Sequence, residues 1–464
     1  ATGDASARAS SDGGVIPRTP SPRWIGVVAA ATWLATTAAM QWSVVRFRLL
    51  ILLVLTAASV VLAVSLARRV VPDPAQRWVP VTLAGSAVVT LAVPLFTYLR
   101  DGWLTAAVTV TVGAAVVTAV LTWLTTLASD AAGPGPAAYL WGAVVGTAAV
   151  AAIALSTIAI IGDPAPRIDV WYLLQQASEV LGRGGNFYTA TWTGSPGVKD
   201  IHSYLPWMTV LVAPGKWLFG DVRWALLLWS LVLLPATVAL ARLSATDGLG
   251  NRRGAAIAAL LVVVPGTITQ VDQAWTEPLL AALIVVWAVL VARGRAWWSI
   301  IPLALACASK QHLALVVPLL LVWRPFGWRR VLATGALTAA LISPWVLADF
   351  AAFWHDTVTA LVQFHPIRFA NTWFLFFLNE FGITLPFWVT GLVVLGALAI
   401  AMVAVHRRQP DLGELLRWAA LVLLVANLVN KQAFYNQFWL SLALVAVSLV
   451  IPLRRVPAVA PASR

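Results

Sequence analysis

GDPAPRIDVWYLLQQASEVLGRGGNFYTATWTGSPGVKDIHSY, Gly162 to Tyr204, is one long polar passage between two membrane-length apolar runs. It carries an acidic residue ahead of an amphipathic stretch (Asp169), a Gly-rich break at 182–185, and a Tyr-Leu-Pro return at 204–206. After Asp169, Val170, Leu173, Leu174, Ala177 and Leu181 form one helical stripe, with Gln175, Gln176 and Glu179 opposite. That pattern predicts a helix lying in a membrane interface.

The chain around this passage is 60% apolar and 11% charged, with 25 tryptophans in 464 residues, which excludes an ordinary soluble domain. Apolar runs of about 17–25 residues recur, the length that crosses a hydrocarbon core of roughly 30 Å. Backbone groups in that core must bond internally, so the runs are expected to be helices. A single cysteine, Cys307, excludes a disulfide framework. Residues 1–23 are polar and lack the apolar segment of a cleavable signal, so they read as a short disordered cytoplasmic tail.

The net charge of +13 comes from arginines in short turns, at 68–77, 242–253, 293–295, 324–330, 407–417 and 454–455. Short basic loops stay cytoplasmic, so the charge is a topology signal and no nucleic-acid partner is expected. The expectation is an all-α polytopic bundle of about fourteen spans: 25–45, 49–67, 79–98, 104–127, 138–161, 223–242, 255–269, 278–293, 297–309, 311–324, 330–348, 384–405, 416–430 and 436–453. Residues 204–219 are apolar enough to cross. Counting them would put the arginine turns on the wrong side, so they read as re-entrant or interfacial, broken at Pro206 and Pro214-Gly215. The domain expectation is a tail (1–23), a four-span appendage (24–127), a core (138–453) and a second cytoplasmic tail (454–464). Both ends then lie in the cytoplasm, and all four lysines fall on the opposite, chemically mixed face.

On that face Asp169 has two readings, a helix N-cap worth about 1 kcal/mol or a carboxylate held where a lipid-borne head group would arrive. Gly182 to Gly185 read as a helix stop. Gln270, Asp272 and Trp275 lie in a turn (QVDQAWTE, 270–277) whose amide, acid and ring could hold a sugar, or which could be plain solvated loop. Lys310 and His312 interrupt an otherwise hydrophobic run between Trp297 and Trp323. A lysine at membrane depth costs roughly 2.5–3.5 kcal/mol, which makes it a functional candidate, with a lipid phosphate as its natural partner. The alternative is a lysine snorkelling from a tight turn. The loop 349–383 adds His355, His365 and Arg368, and the last turn adds Lys431. No metal-ligand spacing supports a site from His202, His355 and His365.

In order, Asp169 in the first large loop, the 184–188 stretch GGNFY, Tyr204-Leu205-Pro206, Gln270 to Gln273 and Lys310 resemble polytopic glycosyltransferases of the GT-C class, family 87 in particular. The resemblance covers roughly 138–450. It departs at Gln311, where the family has proline after the lysine, and in its four extra leading spans. It implies a plasma-membrane enzyme with an extracytoplasmic active site. Such an enzyme moves mannose or arabinofuranose, with inversion, from a polyprenyl-phosphate donor to a glycolipid or cell-wall glycan. Asp169 would be the base. Lys310, His312, Arg368 and Lys431 would hold the donor phosphate. Trp171, Tyr172, Trp192 and Tyr204, with Gln270, Asp272 and Trp275, would contact sugar or acceptor. No cofactor is required by this reading, and a divalent cation stays open. Two other classes compete: a transporter or lipid flippase, which calls for polar residues at mid-membrane in matched halves, and a non-catalytic membrane scaffold.

Overall fold

A computed structural model describes residues 22–131 and 134–452; the expected tail 1–23 therefore lies outside the described region apart from residues 22 and 23, and the expected tail 454–464 lies wholly outside it. The described chain is all-α. Five long helices come first: α1 (Arg23–Ser43), α2 (Leu49–Arg68), α3 (Trp78–Ala92), α4 (Asp101–Ala131) and α5 (Pro134–Gly162). Next are α6 (Asp169–Gly182) and α7 (Pro206–Phe219), which form an arm, and then α8 (Arg223–Ser244). Short elements follow: α9 (Gly250–Val262), α10 (Thr267–Asp272), α11 (Glu277–Ala292), α12 (Ile300–Cys307) and α13 (Val317–Val322). After α14 (Gly327–Ala348) come α15 (Phe350–Trp354), α16 (Ala360–Gln363) and α17 (Trp373–Phe381). The chain closes with α18 (Phe387–Arg408), α19 (Leu412–Val429) and α20 (Tyr435–Ser448).

Eight of these helices are long and apolar enough to cross a membrane, namely α1, α2, α4, α5, α8, α14, α18 and α19. The count of fourteen is thus not reached by length, and the sequence shows why. The expected span 79–98 stops at Ala92, two residues before Pro94, and 93–100 is a loop. The residue before a proline is driven out of the helical region, which favours such a stop. The span 255–269 is cut at Pro265-Gly266, where Gly266 has φ +88° and Tyr435 packs so closely that a Cβ would lie 2.3 Å from its ring. The runs 297–309 and 311–324 become the eight-residue α12, a 3-10 turn (Gln311–Leu315) and the six-residue α13.

The arm needs a correction of its own. Residues 206–219 are helical throughout: Pro206 starts α7 at a position where its missing N–H costs nothing, and Pro214 sits inside it. At fourteen residues α7 is about 21 Å long, too short to cross alone. On α6, Leu173, Leu174 and Ala177 are buried as the stripe requires, but Gln175 is buried too. Its amide bonds the Gly220 carbonyl (2.6 Å) and the Val222 N–H (3.0 Å), locking α6 to the start of α8.

Interactions across the chain sort its turns into two ends. The 68–77, 245–253, 323–326 and 408–414 turns meet through Arg253 with Asp73 and Asp247, Arg408 with Leu66 and Glu414, and Trp323 with Pro410. These are the arginine turns. At the other end, the 93–100, 163–205, 263–276, 308–311, 349–372 and 430–436 segments bond to one another. The fully buried residues of α14 and α18 lie at their arginine ends, Val331 and Thr334, and Ala401 and Val405, although α14 also meets the arm through Trp207 on the Leu341 carbonyl (2.8 Å) and packs Trp345 against Phe187. Beyond those residues they expose apolar side chains, as helices facing lipid tails would.

Candidate functional site

Asp169 is the first residue of α6, and Ile168 occupies the N-cap position. Its side chain does not bond the amides of the second or third helical turn position. One oxygen accepts from Val170 N–H at 2.8 Å, and Val198 supplies a second backbone donor. The capping reading is therefore displaced by one residue, although a carboxylate in a first turn still gains from the helix dipole. Residues 192–198 fold over it as a lid. Gln176 on α6 straps the lid through Thr193, with bonds of 2.8 and 3.0 Å, and Gly194 packs on Tyr172. A Cβ on Gly197 would stand 3.1 Å from the Asp169 Oδ2. Half-buried beneath this lid, the Asp169 carboxyl is pushed above the usual carboxylate range, because burial disfavours its charged form.

On one side of Asp169 lies Tyr204, buried, whose phenol meets Thr276 and feels both Asp169 and Glu277. Lys310 stands over the Tyr204 ring, 5.3 Å from its centre, and bonds Glu277. The same Glu277 oxygen accepts from Asn436 at 2.9 Å, while the other has no partner among the described residues. The arm is seated on this lysine's turn: Leu205 and Trp207 donate to the carbonyls of Ser309 and Ala308, at 3.2 and 3.1 Å. Gln311 links Ser203 (3.0 Å) to Thr357 (3.3 Å), a task proline could not perform.

On the other side is Asp272. One of its oxygens accepts from the Thr97 hydroxyl (2.6 Å) and the Tyr98 N–H (2.7 Å), and its other oxygen faces the side chain of Asp163. A carboxyl that faces a second carboxylate keeps its proton to higher pH. Burial raises both, Asp272 to about 6. Arg223 ties the frame together. It bonds Asp221 through two nitrogens and the Asp163 carbonyl at 2.8 Å, with longer contacts to the Ala159 and Asp272 carbonyls at 3.2 and 3.3 Å.

The candidate residues thus divide. Asp169, Tyr172, Tyr204, Asp272 and Lys310 lie along one rim, with His312 half-buried on the turn after Lys310. Trp171 is buried with its indole N–H on Asp221 (3.2 Å), and Trp192 is buried under its own lid, bonding Ile201. Trp275 is buried against Tyr435, with ring centres 5.1 Å apart. Gln270 is buried at a cavity of about 50 Å³ shared with Arg223 and Trp275, and its Nε2 lacks a partner. Arg368 is exposed. Lys431 donates to the Val362 and Phe364 carbonyls, both at 2.7 Å, and so holds the 349–386 loop. His202 spends both ring nitrogens, on the Tyr204 carbonyl (3.1 Å) and the Thr209 hydroxyl (2.8 Å), and burial lowers its pKa to about 4. Among the described residues no group of three or more His, Cys, Asp or Glu could hold a metal ion.

Asp163, Arg223 and Tyr98 were not among the sequence candidates, and Glu277 stood there only as the second acid of the 270–277 turn. Glu277 heads an apolar helix, where an acid reads as a dipole-matched first turn. Arg223 and Asp163 flank spans, where charge is ordinary. Tyr98 fell within an expected span.

Fold and site together define a multi-pass α-helical membrane protein with a carboxylate-and-lysine rim at one end of its bundle. No family model and no curated protein matches the chain. Among solved structures it is similar to the crystal structure of ArnT from Cupriavidus metallidurans bound to undecaprenyl phosphate, at 16% identity and a TM-score of 0.42. The match covers 66% of this chain and 59% of that one, so it spans less than two thirds of ArnT.

Proposed function

We propose that the protein is a membrane glycosyltransferase that moves a sugar from a polyprenyl-phosphate donor to a hydroxyl of a glycolipid or glycan at its loop-rich, extracytoplasmic rim. The observation that carries this reading is Asp169, half-buried under a glycine-tight lid and joined through Tyr204 to the Lys310–Glu277 pair. A carboxylate and a dehydrated ammonium that both act on one aromatic side chain match the two ends of a glycosyl transfer. The acceptor oxygen attacks the anomeric carbon with inversion, the carbon–oxygen bond to the lipid phosphate breaks, and the phosphate leaves with the electron pair. Asp169 takes the acceptor proton as it becomes acidic in the transition state. Lys310, exchanging Glu277 for phosphate, stabilises the leaving charge, and His312 adds a donor beside it. On this reading α3, α9, α11, α12, α13 and α20 bring the eight long helices to fourteen crossings, and the arginine turns lie in the cytoplasm of a plasma-membrane protein.

The test is transfer. Purified protein in vesicles is given labelled polyprenyl-phosphate mannose and, separately, polyprenyl-phosphate arabinofuranose with a lipid extract as acceptor. Label moving to acceptor with wild type and not with Asp169→Asn is the expected result. Full transfer by Asp169→Asn would overturn the mechanism, and no transfer from either donor would overturn the function.

A further inference from the structure

Thr97 and Tyr98 belong to the α3–α4 loop of the leading four-helix unit, yet they are bound to the rim of the core. Thr97 donates its hydroxyl to Asp272 and Tyr98 its N–H to the same oxygen, while the Thr269 hydroxyl donates to the Phe96 carbonyl at 2.5 Å. From the other side Arg167, two residues before Asp169, lays its guanidinium over the Tyr98 ring at 5.6 Å. The Tyr98 ring is therefore clasped between the QVDQ turn and the segment that delivers Asp169. It is half-buried, edge-on to Phe96, and its hydroxyl makes no hydrogen bond among the described residues. Burial holds the phenol proton in place, the Arg167 guanidinium works against it, and Asp272, Asp169 and Asp163 reinforce the burial. Asp272 is fully buried, and its Oδ1 has no partner beyond the facing Asp163 carboxyl.

We infer that Tyr98 is a substrate-contacting residue that the four-helix unit contributes to the site, and that it binds a neutral polyhydroxyl acceptor beside Asp169. The argument runs on charge. Asp163, Asp169 and Asp272 stand near this phenol against Arg167 and Arg223, so the charges offset and favour no phosphate or sulfate head group, whereas hydroxyl groups donate to carboxylates and accept from a phenol or a guanidinium. The Lys310 ammonium lies over the Tyr204 ring, paired with Glu277. The rim thus has a charge-balanced, hydrogen-bonding wall toward α3–α4 and an exchangeable ammonium toward α12–α13. A sugar hydroxyl is accommodated by the first and a phosphate by the second. The extra helices then have a use in recognition as well as in packing.

The inference rests on the proposed transfer reaction, so its test has an arm that does not need transfer. A diazirine derivative of octyl α-mannoside is photolysed with the full-length protein, and labelled peptides are mapped. The expected result is label on 93–100 and on 163–172, displaced by unmodified octyl α-mannoside and reduced in Tyr98→Phe. Label on 163–172 that leaves 93–100 unmarked, or no displaceable label on either, overturns the inference. In the transfer arm, Tyr98→Phe should raise the acceptor KM about 3–10-fold, the worth of one neutral hydrogen bond, with donor KM and kcat held. A structural role would move both KM values or kcat, and an unchanged acceptor KM would also overturn the inference while leaving the transfer reaction standing. Displaceable label on 93–100 in a protein that transfers from neither donor supports the polyol site and removes the proposed function.

Discussion

Each end of the bundle holds a buried cation, and the two are held differently. At the arginine end, Arg253 bonds two carboxylates, Asp73 and Asp247, through four contacts of 2.7–2.8 Å. Both aspartates keep part of their surface in solvent, at 25% and 32% of the side chain. At the loop-rich end, Lys310 has one carboxylate, Glu277, which is wholly buried and leaves an oxygen without a partner. The arginine is a saturated staple across three segments. The lysine is an undersatisfied pair in a dry place, where each missing bond costs more and an exchange of partner gains more. A stability-only role explains the first and sits badly with the second.

The largest expected effect lies at the rim. Asp169→Asn keeps the shape of the side chain and an oxygen for the Val170 N–H, and removes the base. Transfer should fall by about 10²–10⁴, with the unfolding temperature unchanged, as read by initial rates and a thermal melt of the same preparation.

The contrast between the cations is tested next. Lys310→Ala strands Glu277 as an uncompensated buried charge and should cost about 3–5 kcal/mol. Arg253→Ala leaves two aspartates that water can reach and should cost less, about 1.5–3 kcal/mol. The double change Lys310→Met with Glu277→Gln should recover most of the stability and none of the transfer. If the double variant turns over normally, Lys310 is a staple too and the contrast collapses.

A third effect concerns protons. Burial raises Asp272 from 3.8 to about 6, so the folded protein binds this proton more tightly than the unfolded chain. That contribution to stability is fully present below about pH 4 and is lost as pH rises through about 6. Asp272→Asn, which can still accept from Thr97 and Tyr98 but cannot ionise, should flatten this part of the profile. Asp169 is raised as well. Transfer that needs its ionised form should therefore fall on acidification at a pH above the ordinary carboxylate range. Denaturant midpoints and rates across pH 4–8 read both.

What the sequence disclosed follows the same division. Asp169 was visible as the acid heading the amphipathic stretch of a long polar passage, and Lys310 as a charge where an apolar run predicts none. The helical class followed from the apolar runs and the grouping of turns from the arginines. What stayed hidden was pairing. Nothing in the sequence says that Glu277 reaches Lys310 across 33 positions, or that Arg223 gathers α5, α8 and α10. The aromatic assignments overreached for a related reason. Trp171 and Trp275 are placed at the rim by order in the chain, yet the fold turns both inward. Tyr98 was lost to a misplaced boundary. Pro94 held the signal, outvoted by the apolar residues on either side of it.

The smallest expected effect is the most local. Gly197 sits above Asp169 with an ordinary backbone conformation, so alanine there adds no torsional strain. What it adds is a methyl 3.1 Å from Oδ2, which the lid relieves by rising a few tenths of an ångström. Stability should change by less than about 1 kcal/mol, since residues 193–198 are loop. Lifting the lid lets water in and lengthens the Val198 bond. Hydration lowers the Asp169 pKa, while the lost donor raises it. Burial is the dominant influence on this carboxyl, so the net shift should be downward and the acid limb of the transfer profile should move to lower pH. Such a shift with little change in Tm identifies a lid that tunes its base. An unchanged limb in an otherwise normal enzyme shows that the glycine serves only the turn.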